Sequence, residues 1–109
     1  MKLSVLEKSG CLRICLDGEL DHHSARETMQ GINRALDDYM PRACIIDMSN
    51  VNFMDSSGIA LILRIYKQMR EGGGQLCVEN PQHQPLKVIE AAGIDRVVRI
   101  LTALKEGER

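Results

Sequence analysis

The segment Asp55-Ser56-Ser57-Gly58 sets two hydroxyls between a carboxylate and a glycine. An apolar repeat of Ile59, Ile62, Ile65, Tyr66 and Met69 begins directly after it. The hydroxyls therefore fall at the start of a helix predicted over about Ser57–Arg70. The first turn of a helix carries unpaired backbone N–H groups and a partial positive charge. A phosphate on Ser56 would be partly accommodated there, beside the Asp55 carboxylate. The loop would gain about -1.5 to -2 of charge and repel a partner that had docked on its neutral form. The same residues also read as a plain helix cap, because Asp and Ser are both good N-cap types and a cap requires no function. Local physics leaves both readings standing.

Other residues of reactive type fall short of a site. His22 and His23 are adjacent at a helix start, and neighbours on a helix do not converge on one metal ion. They read as polar residues at the edge of a docking face. His83 lies in a Pro- and Gln-rich turn with no evident partner. Asp47 and Asp55 could form a carboxylate pair for acid–base work, but Asp47 belongs to a strand-like run. Gly-x-Ser-x-Gly is absent, which disfavours a serine hydrolase. Gly72-Gly73-Gly74 follows a helix instead of preceding one, so it is not a phosphate loop. The four cysteines, Cys11, Cys15, Cys44 and Cys77, lack ligand spacing and read as buried small hydrophobes in a reducing compartment. No catalytic residue, metal site or cofactor is expected.

The bulk properties agree. A chain of 109 residues fits one domain over 1–109. Aromatics are 3% of the sequence, so stacking platforms for bases are scarce. The net charge of -1 includes no basic stripe, which argues against direct nucleic-acid binding. No apolar run reaches the roughly 18 residues of a membrane span, and the N-terminus is not a signal peptide. A cytoplasmic protein without membrane contact is the expectation.

The elements that must position Ser56 follow from periodicity. Leu3–Glu7 and Cys11–Leu16 read as a hairpin across Lys8-Ser9-Gly10. Asp17–Asp21 reads as a break. A helix with Ala25, Met29, Ile32, Leu36 and Tyr39 on one side follows and stops at Pro41. Asp21 or Ser24 would cap it, with Glu27 completing a capping box. Ala43–Met48 suits a central strand covered on both faces, and Ser49–Gly58 is the polar loop after it. Gly72–Gly74 ends the second helix. Gln75–Glu79 is a strand, about Pro85–Ala92 a helix, and Val97–Leu101 an edge strand. The charged tail from Thr102 suits a short helix. This order predicts an α/β fold with a largely parallel sheet, its functional loops at the carboxyl ends of the strands. Asp17–His23 and Ser49–Gly58 would then share one edge.

Gly18-Glu19-Leu20-Asp21-His22-His23, Phe53-Met54-Asp55-Ser56-Ser57-Gly58 and Arg64-Ile65-Tyr66-Lys67-Gln68 resemble, in sequence and spacing, the STAS domain family. Within it they resemble the anti-sigma factor antagonists of spore-forming bacteria. The resemblance implies a mixed four- to five-stranded sheet with helices packed on one side. It implies a protein that is not an enzyme and binds an anti-sigma factor serine kinase, freeing a sigma factor for transcription in sporulation or stress circuits. The kinase would phosphorylate Ser56 and so end the binding, and a phosphoserine phosphatase would reverse this. Asp21, His22, His23, Asp55, Ser57, Gly58 and Ile59 would form the partner-binding face. The alternative is a soluble STAS accessory subunit of a membrane transport system. The chain departs from the family at Gly58-Ile59-Ala60-Leu61, where Gly-Leu-Gly-Val is commoner. It departs again at Arg64-Ile65, where the relatives have glycine before arginine. Both departures bear on the choice of partner.

Overall fold

Leu12, Ile14 and Leu16 alternate with Cys11, Arg13 and Cys15, and strand geometry sends the two sets to opposite faces of a sheet. In the structure, a computed structural model that describes residues 1–102, the first set is buried and the second half-buried. The strands are β1 (Lys2–Lys8), β2 (Cys11–Leu20), β3 (Ala43–Met54), β4 (Gln75–Glu79) and β5 (Arg99–Leu101). The helices are α1 (Ala25–Tyr39), α2 (Ser56–Glu71) and α3 (His83–Ala91), with a 3-10 turn at Ile94–Arg96. The short helix expected in the charged tail lies outside the described residues.

The sheet order is β1-β2-β3-β4-β5. β1 and β2 form an antiparallel hairpin, and every later pairing is parallel. Ser9 (φ 54°) and Gly10 (φ 83°) supply the two positive φ angles of a type I′ turn, whose twist suits a hairpin. Helices return the chain between the parallel strands and pack on one face. There Leu12, Ile14, Cys44, Ile46, Met48 and Val78 meet Ile32, Ile62, Ile65 and Ile89 in one core. Burying each large aliphatic side chain contributes about 1.5–3 kcal/mol.

Among the described residues, the opposite face has no helical cover. The expectation that β3 is covered on both faces is therefore corrected: Ala43, Ile45 and Asp47 are only half-buried. The same holds for the cysteines. Cys44 alone is buried, and burial pushes its thiol up to about 12. Cys11, Cys15 and Cys77 are half-buried. Arg13 sits at the centre of this open face and spans three strands. Its Nη1 donates to Asp47 Oδ2 at 3.1 Å and its Nη2 lies 3.0 Å from Glu79 Oε1.

β2 and β3 run further than expected, and one irregularity explains both. Cys15 pairs with Asp47 but Asp17 with Asn50; Gly18 pairs with Val51 but Glu19 with Phe53. Each step gives β3 one residue more than β2, so β3 carries two bulges. They bring Met48, Val51 and Met54 into the core at a spacing of three, which hides the strand period. β4 stops at Glu79 opposite Asp47, leaving the far edge of residues 49–54 without a strand among the described residues. Glutamines of the next segment take its place. Gln82 Nε2 donates to Ser49 O at 2.8 Å. Gln84 accepts from Met54 N and donates to Met54 O, each at 2.9 Å.

The capping box is also corrected. Ser24 is the N-cap of α1 but makes no side-chain cap bond. Its hydroxyl instead donates to Glu19 O at 2.7 Å, tying the helix start to the end of β2.

Burial works against the Asp47 carboxylate, but hydrogen bonds from the Ser49 amide and hydroxyl, with the Arg13 guanidinium, hold its carboxyl below the ordinary 3.8. A depressed folded-state value adds stability above the unfolded-state pKa, and this is lost as pH falls through the folded value. Asp47→Asn should therefore lower Tm by about 5 °C at neutral pH. The gap to wild type should close as pH falls below about 4. Thermal melts followed by circular dichroism across that range check this; a constant gap would contradict it.

Candidate functional site

Because β2 and β3 are parallel neighbours, their carboxyl ends reach the same sheet edge. Leu20 pairs with Met54, so Asp21 and Asp55 leave the sheet side by side. Asp55 then joins the two loops. Its amide donates to Leu20 O at 3.3 Å, and its carbonyl accepts from Gly58 N at 3.0 Å. Oδ1 accepts from Ser57 N at 2.8 Å, which caps α2. Oδ2 accepts from His22 N at 3.2 Å, across the loops. The cap reading of Asp55 thus holds, and the same carboxylate does a second, non-local job.

Asp21 is likewise turned toward backbone. Its Oδ1 accepts from His23 N at 2.9 Å and Ser24 N at 3.1 Å. Its own amide donates to Ser24 Oγ at 3.1 Å. Burial opposes the charged form of Asp21, but the Ser24 and His23 amides outweigh it and hold its carboxyl below the ordinary value. Both acidic groups of the edge are therefore occupied by N–H donors.

Ser56 is the first residue of α2, one position earlier than expected. It is exposed, and its hydroxyl has no partner among the described residues. Ser57 is half-buried. His22 and His23 are exposed, with ring centroids 5.5 Å apart at 70°. His23 Nδ1 lies 3.9 Å from Asp21 Oδ2. Ile59 is partly buried against the core. Among the described residues, no group of His, Cys, Asp and Glu is placed to hold a metal ion.

Gly58 was expected on the partner-binding face, but it is buried. A Cβ there would overlap Met54 Cγ, stand 2.6 Å from Met54 Sδ and 3.1 Å from Leu20 Cδ2. Glycine lets the first turn of α2 lie directly on the ends of β2 and β3. Its contribution to the site is this closeness. Gln84 was not foreseen at all. It grips the backbone of Met54, the residue before Asp55, from thirty positions away in sequence. Nothing local in the sequence signals such a contact.

A five-stranded mixed sheet with helices on one face, and two clasped loops at its edge, defines a known class of α/β domain. The STAS domain profile matches residues 2–107, and the chain belongs to the STAS domain family. The anti-sigma F factor antagonist of Paenibacillus polymyxa is 26% identical over 100 residues, covering 92% of this chain and 86% of that protein. The anti-sigma factor antagonist SpoIIAA in its unphosphorylated form superposes with a TM-score of 0.79 at 25% identity, over 99% of this chain and 95% of that one. The phosphorylated form of SpoIIAA from Bacillus gives 0.71 at 25% identity, over 99% and 98%. Among the described residues, no helix is long and apolar enough to cross a membrane.

Met54 is fully buried and cannot swing clear of a new methyl group. Gly58→Ala should cost about 1–3 kcal/mol in urea unfolding. In a Met54→Ala background the same change should cost at least about 1 kcal/mol less, because the clash is gone. Additive effects would contradict the packing role.

Proposed function

We propose that this chain is an anti-sigma factor antagonist switched by phosphorylation of Ser56. In the unphosphorylated form, the surface around Asp21, His22, His23, Asp55, Ser57 and Ile59 docks on an anti-sigma factor serine kinase and so releases a sigma factor. The reading places the protein in the cytoplasm and gives it no catalysis of its own: it is the substrate of its partner. A phosphoserine phosphatase restores the binding form.

The observation that carries the reading is Ser56 itself. Its hydroxyl is exposed and unpartnered at the first position of α2, inside a rigidly tied loop pair. A kinase can reach it without unfolding anything. The relatives named as anti-sigma factor antagonists support the choice of partner. That SpoIIAA exists in phosphorylated and unphosphorylated forms supports the switch. The mechanism is electrostatic. A phosphate at the helix N-terminus is favoured by the positive end of the α2 dipole, so the fold is kept. Its charge of about -1.5 to -2 nevertheless lies within the docking face and beside Asp55. A partner surface matched to the neutral serine is repelled.

Incubation with ATP and the cognate anti-sigma kinase, followed by a phosphopeptide map, should place one phosphoryl group on Ser56. Ser56→Ala should abolish labelling and keep kinase binding, whereas Ser57→Ala should still be labelled. Ser56→Asp should weaken binding about tenfold or more, if charge is the lever. Labelling that persists in Ser56→Ala would overturn the site.

A further inference from the structure

Beside Ser57, α1 and α2 line a groove of about 520 Å³. Met29 and Leu61, both buried elsewhere along their length, give it an apolar bottom. Arg26 of α1 and Arg64 of α2 stand along it, both exposed, and His22 closes the end nearest the loops. Neither arginine makes a hydrogen bond or ion pair among the described residues. No carboxylate lines the groove. The nearby acids Asp21 and Asp55 accept from backbone amides of the two loops, and neither is ion-paired with Arg26 or Arg64.

We propose that this groove receives an acidic segment of the protein partner, with one aliphatic side chain against Met29 and Leu61 and carboxylates on Arg26 and Arg64. The inference rests on the reading that the Ser56 surface docks a protein, and it names the chemistry of what docks. Guanidinium forks left free on neighbouring helices suit carboxylates, which they can bind bidentately. Two guanidiniums without an acid in the groove lining make charge complementarity the basis of recognition, and the apolar bottom supplies an anchor. The arrangement also makes the switch economical in distance. A phosphate on Ser56 adds negative charge next to the place where the partner's own negative segment must lie.

The test uses the full chain and a defined probe, so it needs no kinase. The 15N-labelled protein is titrated with the blocked peptide Glu-Glu-Leu-Glu-Glu, at about 0.01 M and about 0.15 M ionic strength. Lys-Lys-Leu-Lys-Lys is the control. Shifts centred on Arg26, Ala60, Leu61 and Arg64, at least about fivefold weaker in affinity at the higher salt, are expected. The double variant Arg26→Glu/Arg64→Glu should lose the response, and Arg26→Gln/Arg64→Gln should reduce it. Both variants lie on exposed positions, and an unchanged circular dichroism spectrum verifies their fold. Absence of shifts, shifts centred elsewhere, an equal response to the lysine peptide, or a response that survives charge reversal would each overturn the proposal. A failure of kinase labelling at Ser56 would count against the switch and leave this titration result unaffected.

Discussion

The carboxylate of Asp55 is the constraint on which the functional edge depends. One oxygen holds the first turn of α2 through Ser57 N, and the other holds the β2–α1 loop through His22 N. Without it, two neighbouring loops would present two independent surfaces. With it, the start of a helix, a turn and the ends of two parallel strands are bonded to one another. The supports come from further out: Gln84 fixes the backbone before Asp55, and Gly58 allows α2 to sit close enough for the bonds to form.

This arrangement decides the electrostatics as well. A helix N-terminus attracts negative charge, and Asp21 and Asp55 stand near one. Backbone amides take both Asp55 oxygens and Asp21 Oδ1, and beside them the edge shows a free serine hydroxyl, two exposed imidazoles and two guanidiniums with no ion pair among the described residues. A phosphate on Ser56, as proposed, would add negative charge to this edge.

Much of the fold was readable because its periods are clean. β2 alternates strictly until Leu16, β4 matches its predicted bounds, and the apolar stripe of α2 lies on the core. The later half of β3 was not readable. Its two bulges replace the period of two with a spacing of three, so Ser49–Met54 looks like a polar loop. The capping box failed because the Ser24 hydroxyl turns away from its helix, donating to Glu19 O and accepting from Asp21 N. Within the site, the order of Asp55, Ser56 and Ser57 revealed a cap and a hydroxyl, but not which serine is exposed. Gln84 and the Asp55–His22 bond were invisible, since each depends on a contact made only when distant strands pair. The role of Ser56 as phosphoacceptor came from resemblance and remains the proposal.

The most direct measurement is amide hydrogen exchange of Asp55→Ala against wild type, read residue by residue by NMR. If one carboxylate clasps both loops, the His22 and Ser57 amides should lose protection together. Each should exchange roughly fivefold faster, as removal of a cap worth about 1 kcal/mol requires. Ile89 in α3 should be unchanged. Faster exchange at Ser57 with no change at His22 would mean that Asp55 only caps its own helix. The single docking surface would then have to be abandoned.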